Sequence, residues 1–110
     1  MNKSMASKIS TSLIISTYNR SDALELCVKS VLRQSLLPDE IIIADDGSKE
    51  ETGELIHQLA TTSVVPIIHV WHEDLGFRLA TIRNKAIVKA TKEYIIQIDG
   101  DIVLHKDFVK

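Results

Sequence analysis

EIIIADDGSKEE, residues 40 to 51, decides the fold. Three isoleucines and an alanine in unbroken succession leave no polar face, so residues 40–45 read as a strand buried on both sides. Turn formers stop the run at Asp46, Gly47 and Ser48. Ser48 and Glu51 have the S-x-x-E spacing of a capping box, which predicts a helix at once, with Leu55, Ile56 and Leu59 on its apolar face. A buried strand, a polar turn and an amphipathic helix make one unit of a parallel α/β sheet.

The same unit recurs on either side. SLIIST, residues 12–17, is a short buried strand, and YNRSD follows it as a loop. Leu24, Cys27, Val28, Val31 and Leu32 then recur at helical spacing, with Ser21 or Asp22 expected to cap the start and Pro38 marking the loop beyond. PIIHVW (66–71) is a third strand, HEDLGF a loop, residues 78 to 91 a third helix, and YIIQI (94–98) a fourth buried strand. The order βαβαβαβ predicts a Rossmann-like α/β fold, a mainly parallel sheet with right-handed crossovers and helices on both faces. Residues 1–9 are polar and read as a disordered lead-in, leaving residues 10–110 as one domain or part of one.

Bulk properties narrow the function. The 110 residues are 45% hydrophobic and 25% charged, an ordinary globular balance. A net charge of -2 gives no reason to expect nucleic acid or a membrane surface as partner. Cys27 is the single cysteine, so no internal disulfide forms; its apolar neighbours make it a core residue and point to a reducing, cytoplasmic location. No apolar run reaches membrane-spanning length, and the N-terminus lacks the apolar stretch of a signal peptide.

Every unusual polar cluster follows a strand: Ser16-Thr17-Tyr18-Asn19-Arg20, Asp45-Asp46-Gly47-Ser48, His72-Glu73-Asp74 and Asp99-Gly100-Asp101. Parallel strands bring these ends to one edge, where open α/β sheets bind ligands. Asp, Ser and Asn also serve as caps and turns, and Asp45, Asp46 and Ser48 fit either duty. Six acids on one edge, counting Asp45, Asp46, Glu73, Asp74, Asp99 and Asp101, call for compensating positive charge. Asp99 and Asp101 sit at i and i+2 of an extended segment, so both carboxylates can face one point. A hard cation such as Mg2+ or Mn2+, shared with a diphosphate, suits that pair. Arg83 lies within the apolar stripe Leu79, Ile82, Ala86, Ile87 and Ala90, so it needs a partner, either a structural acid such as Asp45 or a ligand phosphate or base. His57 and His69 read as structural, while His105 could reach a metal; Tyr18 and Phe77 could stack on a base or close their loops.

Four motifs, IISTYNR, IIIADDGS, GFRLATIRNKAI and YIIQIDGD, occur in the order found in the nucleotide-binding half of family-2 glycosyltransferases of the GT-A fold. The chain resembles that family over residues 11 to 108. The third and fourth motifs, with HEDLGFR, look most like the galactosaminyl- or galactosyltransferase modules of bacterial glycosaminoglycan polymerases. The resemblance implies an inverting enzyme that moves a sugar from a UDP-sugar donor to a glycan acceptor with Mn2+ or Mg2+. It places Thr17 and Tyr18 near the nucleoside, Asp46 on the uracil ring, Arg83 near base or phosphates, Asp99 near ribose or metal, and Asp101 on the metal.

With the strand ends, the expected nucleotide-sugar site comprises Ser16, Thr17, Tyr18, Asn19, Arg20, Asp45, Asp46, Asp74, Gly76, Phe77, Arg83, Asn84, Asp99 and Gly100, and the metal falls to Asp99 and Asp101. Ser16 stands where many relatives have proline, a change expected to touch backbone rigidity alone. The family's catalytic base lies on the acceptor-binding half, well past the D-x-D motif. The chain is therefore expected to be the donor half of a longer enzyme, inactive alone, with the base beyond Lys110 and exposed surfaces that favour self-association. Two rivals stand beside this reading. A sugar-phosphate nucleotidyltransferase would carry a glycine-rich loop after the first strand, and TYNRSD has none. A non-catalytic binding module would be distinguished by the lack of metal-dependent nucleotide binding.

Overall fold

A computed structural model describes residues 10–73 and 79–100. Its elements alternate as β1 (Thr11–Thr17), α1 (Ser21–Leu32), β2 (Glu40–Asp45), α2 (Glu50–Thr62), β3 (Ile67–Trp71), α3 (Leu79–Lys89) and β4 (Tyr94–Asp99). The strands form one sheet in the order β3-β2-β1-β4. Every pairing is parallel, with Ile14 beside Ile42, Ile43 beside His69 and Ser16 beside Asp99.

Side-chain alternation along the strands divides the core in two. Leu13, Ile15, Ile41 and Ile43 pack with Leu24, Cys27, Val28 and Val31 of α1 and with Ile56 and Leu59 of α2. Ile14, Ile42, Ala44 and Val70 pack on the other face with Ile82 and Ala86 of α3. Helices thus cover both faces, as the βαβ order requires. Each buried isoleucine contributes roughly 1.5–3 kcal/mol, so the unbroken run at 41–43 is the strongest single anchor of the sheet.

The outer strands depart from expectation. The fourth strand reads as buried from sequence, yet β4 shows Tyr94 58% and Ile95 40% exposed. Among the described residues only β1 and β2 have a strand on both sides. The α3 stripe is narrower than predicted too: Ile82 and Ala86 are buried, but Ile87 is exposed.

The helix starts also differ. Arg20 and Lys49 occupy the cap positions, and neither helix has a side-chain capping bond. The first helical bond of α1 runs from Leu24 N to Arg20 O, which puts Ser21 and Asp22 inside the first turn. The Ser48 hydroxyl accepts from Asn19 N at 2.7 Å instead of capping α2.

At the end of the sheet where the strands begin, Glu40 is only 5% exposed. It accepts from the Ser12 hydroxyl at 2.6 Å and from Thr91 N and Oγ1 at 2.9 and 3.1 Å. Lys92 N donates to the same Ser12 hydroxyl at 3.3 Å. Burial works against the charge, but the bonds from Ser12 and Thr91 outweigh it and hold the carboxyl below the ordinary glutamate range. The connection from α3 to β4 is thereby tied beneath β1 and β2.

Candidate active site

The opposite end, where the strands finish, is assembled by bonds between loops. Asp46 N donates to Thr17 O at 3.0 Å, His72 N to Asp45 O at 3.4 Å, and Gly100 N to Ser16 O at 2.8 Å. Gly47 turns the chain with φ of 91°, and Asn19 adopts φ of 49°. That left-handed turn lets Asn19 link the first two loops, since its Oδ1 also accepts from Lys49 N at 2.8 Å. Gly100 has a different reason to be glycine: a Cβ there would lie 2.7 Å from the Ser16 carbonyl oxygen. The glycine of the D-G-D motif allows the end of β4 to close on the end of β1.

Successive residues past these strand ends point to opposite faces. On the α3 face, Arg83 Nη2 donates to Asp99 Oδ1 at 2.8 Å. Ser16 Oγ donates to the same oxygen at 3.1 Å and lies 3.4 Å from Arg83 Nη2. The alternative of an Arg83–Asp45 pairing is therefore corrected: the partner is Asp99, because Asp45 points to the opposite face. Arg83 Nε is buried without a hydrogen-bond partner among the described residues. Ser16 is corrected as well, since its hydroxyl, which proline would lack, braces Asp99. Beside this trio, Asp46 meets His72, Oδ1 to Nε2 at 2.5 Å, and Lys85 Nζ stands 3.3 Å from His72 Nδ1.

On the other face, Asp45 is fully buried. Its Oδ1 accepts from Ser48 N at 2.9 Å and its Oδ2 meets His69 Nε2 at 2.8 Å. Trp71 Nε1 donates to Ser48 O at 3.0 Å and ties β3 to the same turn. Thr17 is buried beside Asp45 in the strand register, whereas Tyr18 is exposed. Arg20 pairs loosely with Asp22 at 3.4 Å in solvent, and Asn84 is exposed on α3. Ser16, Asp46, Arg83 and Asp99 thus gather on one side, while Asp45 lies on the other. Asp74, Gly76, Phe77, Asp101 and His105 lie outside the described residues.

Three of the six acids counted from sequence meet side chains on β3, just after it, and on α3. His69 meets Asp45, His72 and Lys85 serve Asp46, and Arg83 serves Asp99. Of these, Lys85 was missed, and His72 was placed at the edge without a role. The available signal was position: a histidine one residue past a strand lies at the same edge as the acids.

Among the described residues no group of three or more His, Cys, Asp or Glu side chains could hold a metal ion. Asp99 offers a hard carboxylate with its side chain 59% exposed. Such a donor fits a divalent cation that takes most of its remaining ligands from water and substrate phosphates. Among the described residues, no helix is long and apolar enough to cross a membrane.

Comparison with known proteins supplies the family. The model of the family described as "Glycosyl transferase family 2" matches residues 12–110. A protein named chondroitin synthase from Escherichia coli is 34% identical over 92 residues, covering 83% of this chain and 13% of its own length. The crystal structure of S. aureus TarS 1-349 in complex with UDP superposes with a TM-score of 0.73 at 21% identity, over 92% of this chain and 30% of that one. The mannosyltransferase PcManGT from Pyrobaculum calidifontis, in complex with GDP-Man and Mn2+, gives 0.74 at 24% identity, over 86% of this chain and 28% of that one. The chain spans less than a third of each of these proteins. With a family model matched from the first strand to the last residue, and a sheet that superposes on GT-A enzymes, the chain belongs to glycosyl transferase family 2.

Proposed function

We propose that residues 10–110 are the donor-binding half of a glycosyltransferase that takes a UDP-sugar and passes the sugar to a glycan acceptor with inversion. The observation that carries the reading is the convergence of Ser16, Asp46, Arg83 and Asp99 on one side of the strand-end edge, with a buried guanidinium nitrogen, Arg83 Nε, lacking a partner. A guanidinium there suits a phosphate oxygen, and an acceptor such as Asp46 suits the N–H of a base. TarS holding UDP and PcManGT holding GDP-Man and Mn2+ support the nucleotide class and the metal.

In the reaction, an acceptor hydroxyl attacks the anomeric carbon from the side opposite the diphosphate. The new glycosidic bond forms as the bond to the diphosphate breaks, and a base takes the hydroxyl proton. Arg83 binds and orients the phosphates, Asp46 orients the base, and Asp99, together with Asp101, offers oxygen to a cation. A divalent cation bound there would supply positive charge to offset the departing diphosphate.

Thermal and urea unfolding with nucleotides, with and without Mn2+, test the reading. UDP with Mn2+ should stabilise the chain by roughly 2.7 kcal/mol over the unliganded protein at a concentration about 100 times its dissociation constant, and by more than ADP or GDP does. Equal effects from all three nucleotides would remove the uracil assignment, and no effect from any would remove donor binding.

A further inference from the structure

Asp46 is 2% exposed at the end of β2, and His72, 8% exposed, stands just past β3. The contact between them is made by His72 Nε2 and Asp46 Oδ1. The second imidazole nitrogen, Nδ1, faces Lys85 Nζ of α3 at 3.3 Å. A lysine ammonium has protons to give and no lone pair to receive one. Nδ1 is therefore the acceptor, the ring proton sits on Nε2, and Nε2–H donates to Asp46. The bonds run one way, from an ammonium through a neutral imidazole to a carboxylate that can only accept. The relay joins α3, the segment after β3 and the end of β2, and reaches the carboxylate at Oδ1.

We infer that His72 and Lys85 are positioning residues that hold Asp46 as a hydrogen-bond acceptor and thereby set which nucleobase this edge takes. The inference rests on the nucleotide-binding reading above. A carboxylate that only accepts pairs with a base offering a ring N–H, as uracil does at N3. Cytosine offers a bare ring nitrogen at the same position, so two acceptors would face each other with neither satisfied. Unpaired polar groups in a dry site discriminate far more strongly than small differences in shape. A carboxylate free to take a proton would donate to cytosine and lose the distinction. Donation from His72 keeps that oxygen in an accepting role, and donation from Lys85 keeps the histidine in the required tautomer.

Calorimetric titration of the chain with UDP and with CDP, each with Mn2+, tests this in four proteins: wild type, His72→Gln, His72→Phe and Lys85→Met. Glutamine can donate to Asp46 through its amide nitrogen and accept from Lys85 through its oxygen, so the UDP-over-CDP preference should stay within about threefold of wild type. His72→Phe removes the donor, and the preference should fall by roughly tenfold or more. Lys85→Met frees the ring to change tautomer, and the preference should fall by a smaller factor, about threefold to tenfold. Lys85 is exposed on α3, so that variant decides the matter even where a phenylalanine beside buried Asp46 prevents folding. An unchanged preference in Lys85→Met, or equal losses in the glutamine and phenylalanine variants, would overturn the inference while leaving UDP binding intact. Absence of binding of either nucleotide to wild type would overturn the donor-site reading, and this inference with it.

Discussion

The two ends of the sheet each bury a carboxylate, Glu40 at one and Asp46 at the other, and they satisfy their acids differently. Glu40, where the strands begin, is met by a hydroxyl, a backbone N–H and a second hydroxyl, from Ser12 and Thr91. Asp46 and Asp99, where the strands finish, are met by His72 and Arg83, with Lys85 behind the histidine. Short neutral donors have nowhere else to go, so the Glu40 arrangement is a lock. Long or ionisable partners can be re-shared with an incoming ligand, so the other arrangement is a site. Burial alone does not separate structural acids from functional ones; the chemistry of their partners does.

The largest effect should come from breaking the lock. Glu40→Ala leaves the Ser12 hydroxyl and both Thr91 donors without their acceptor, and should cost about 3 kcal/mol of stability by urea unfolding. Nucleotide affinity of the folded fraction should not change. A loss below about 1 kcal/mol would erase the contrast between the ends. Acid sharpens the same test. The folded-state pKa of Glu40 is lowered, so its contribution is fully present above the unfolded value and is lost as pH falls through the folded one. The stability gap between wild type and Glu40→Gln should therefore be constant near neutrality and shrink below about pH 4.3.

A smaller effect is expected where the site end is held to the sheet. In Gly100→Ala the new Cβ meets the Ser16 carbonyl oxygen at 2.7 Å, and a backbone atom cannot swing aside. The end of β4 must move off β1, at a cost of roughly 1–3 kcal/mol. Unlike Glu40→Ala, this change should also weaken UDP binding, because it carries Asp99 away from Ser16 and Arg83. Full retention of UDP affinity would show that the closeness of these strand ends is structural alone.

What was legible in the sequence follows from range. Ile41, Ile42 and Ile43 announce a central strand, and Ile82 with Ala86 announce a helix face, because those patterns repeat within a few residues. The polar strand ends were legible because parallel topology sends them to one edge. Partnerships were not. Arg83 meets Asp99 and not Asp45 because β4 lies beside β1 and because one step along a strand reverses the face. Neither strand order nor the phase of a turn is written in local periodicity. His72 and Lys85 are 13 residues apart on different elements, a spacing with no fixed meaning. Glu40 was read only as part of the strand at 40–45, because its donors, Ser12 and Thr91, lie 28 and 51 residues away. The capping box failed for a related reason: Ser48 had a better use in joining two loops.

Arg83→Leu should have the smallest effect on stability and a clear one on binding, and so tests the site half of the contrast most directly. The Arg83–Asp99 pair is 2.8 Å apart, but its side chains are 33% and 59% exposed. Water screens such a pair, which is worth about 0–1 kcal/mol. Leucine also removes the buried Nε that has no partner, and it suits the apolar neighbours Ile82 and Ala86 on α3. The unliganded fold should lose less than about 1 kcal/mol in a urea melt. Affinity for UDP with Mn2+ should nonetheless fall roughly tenfold or more, since a charge-assisted bond to phosphate is worth about 1.5–3 kcal/mol. A loss of about 3–5 kcal/mol in the unliganded protein would give the opposite answer. It would mean that Arg83 belongs with Ser12 and Thr91 as a fixed partner of a structural acid, and that the two ends of the sheet are built on the same plan.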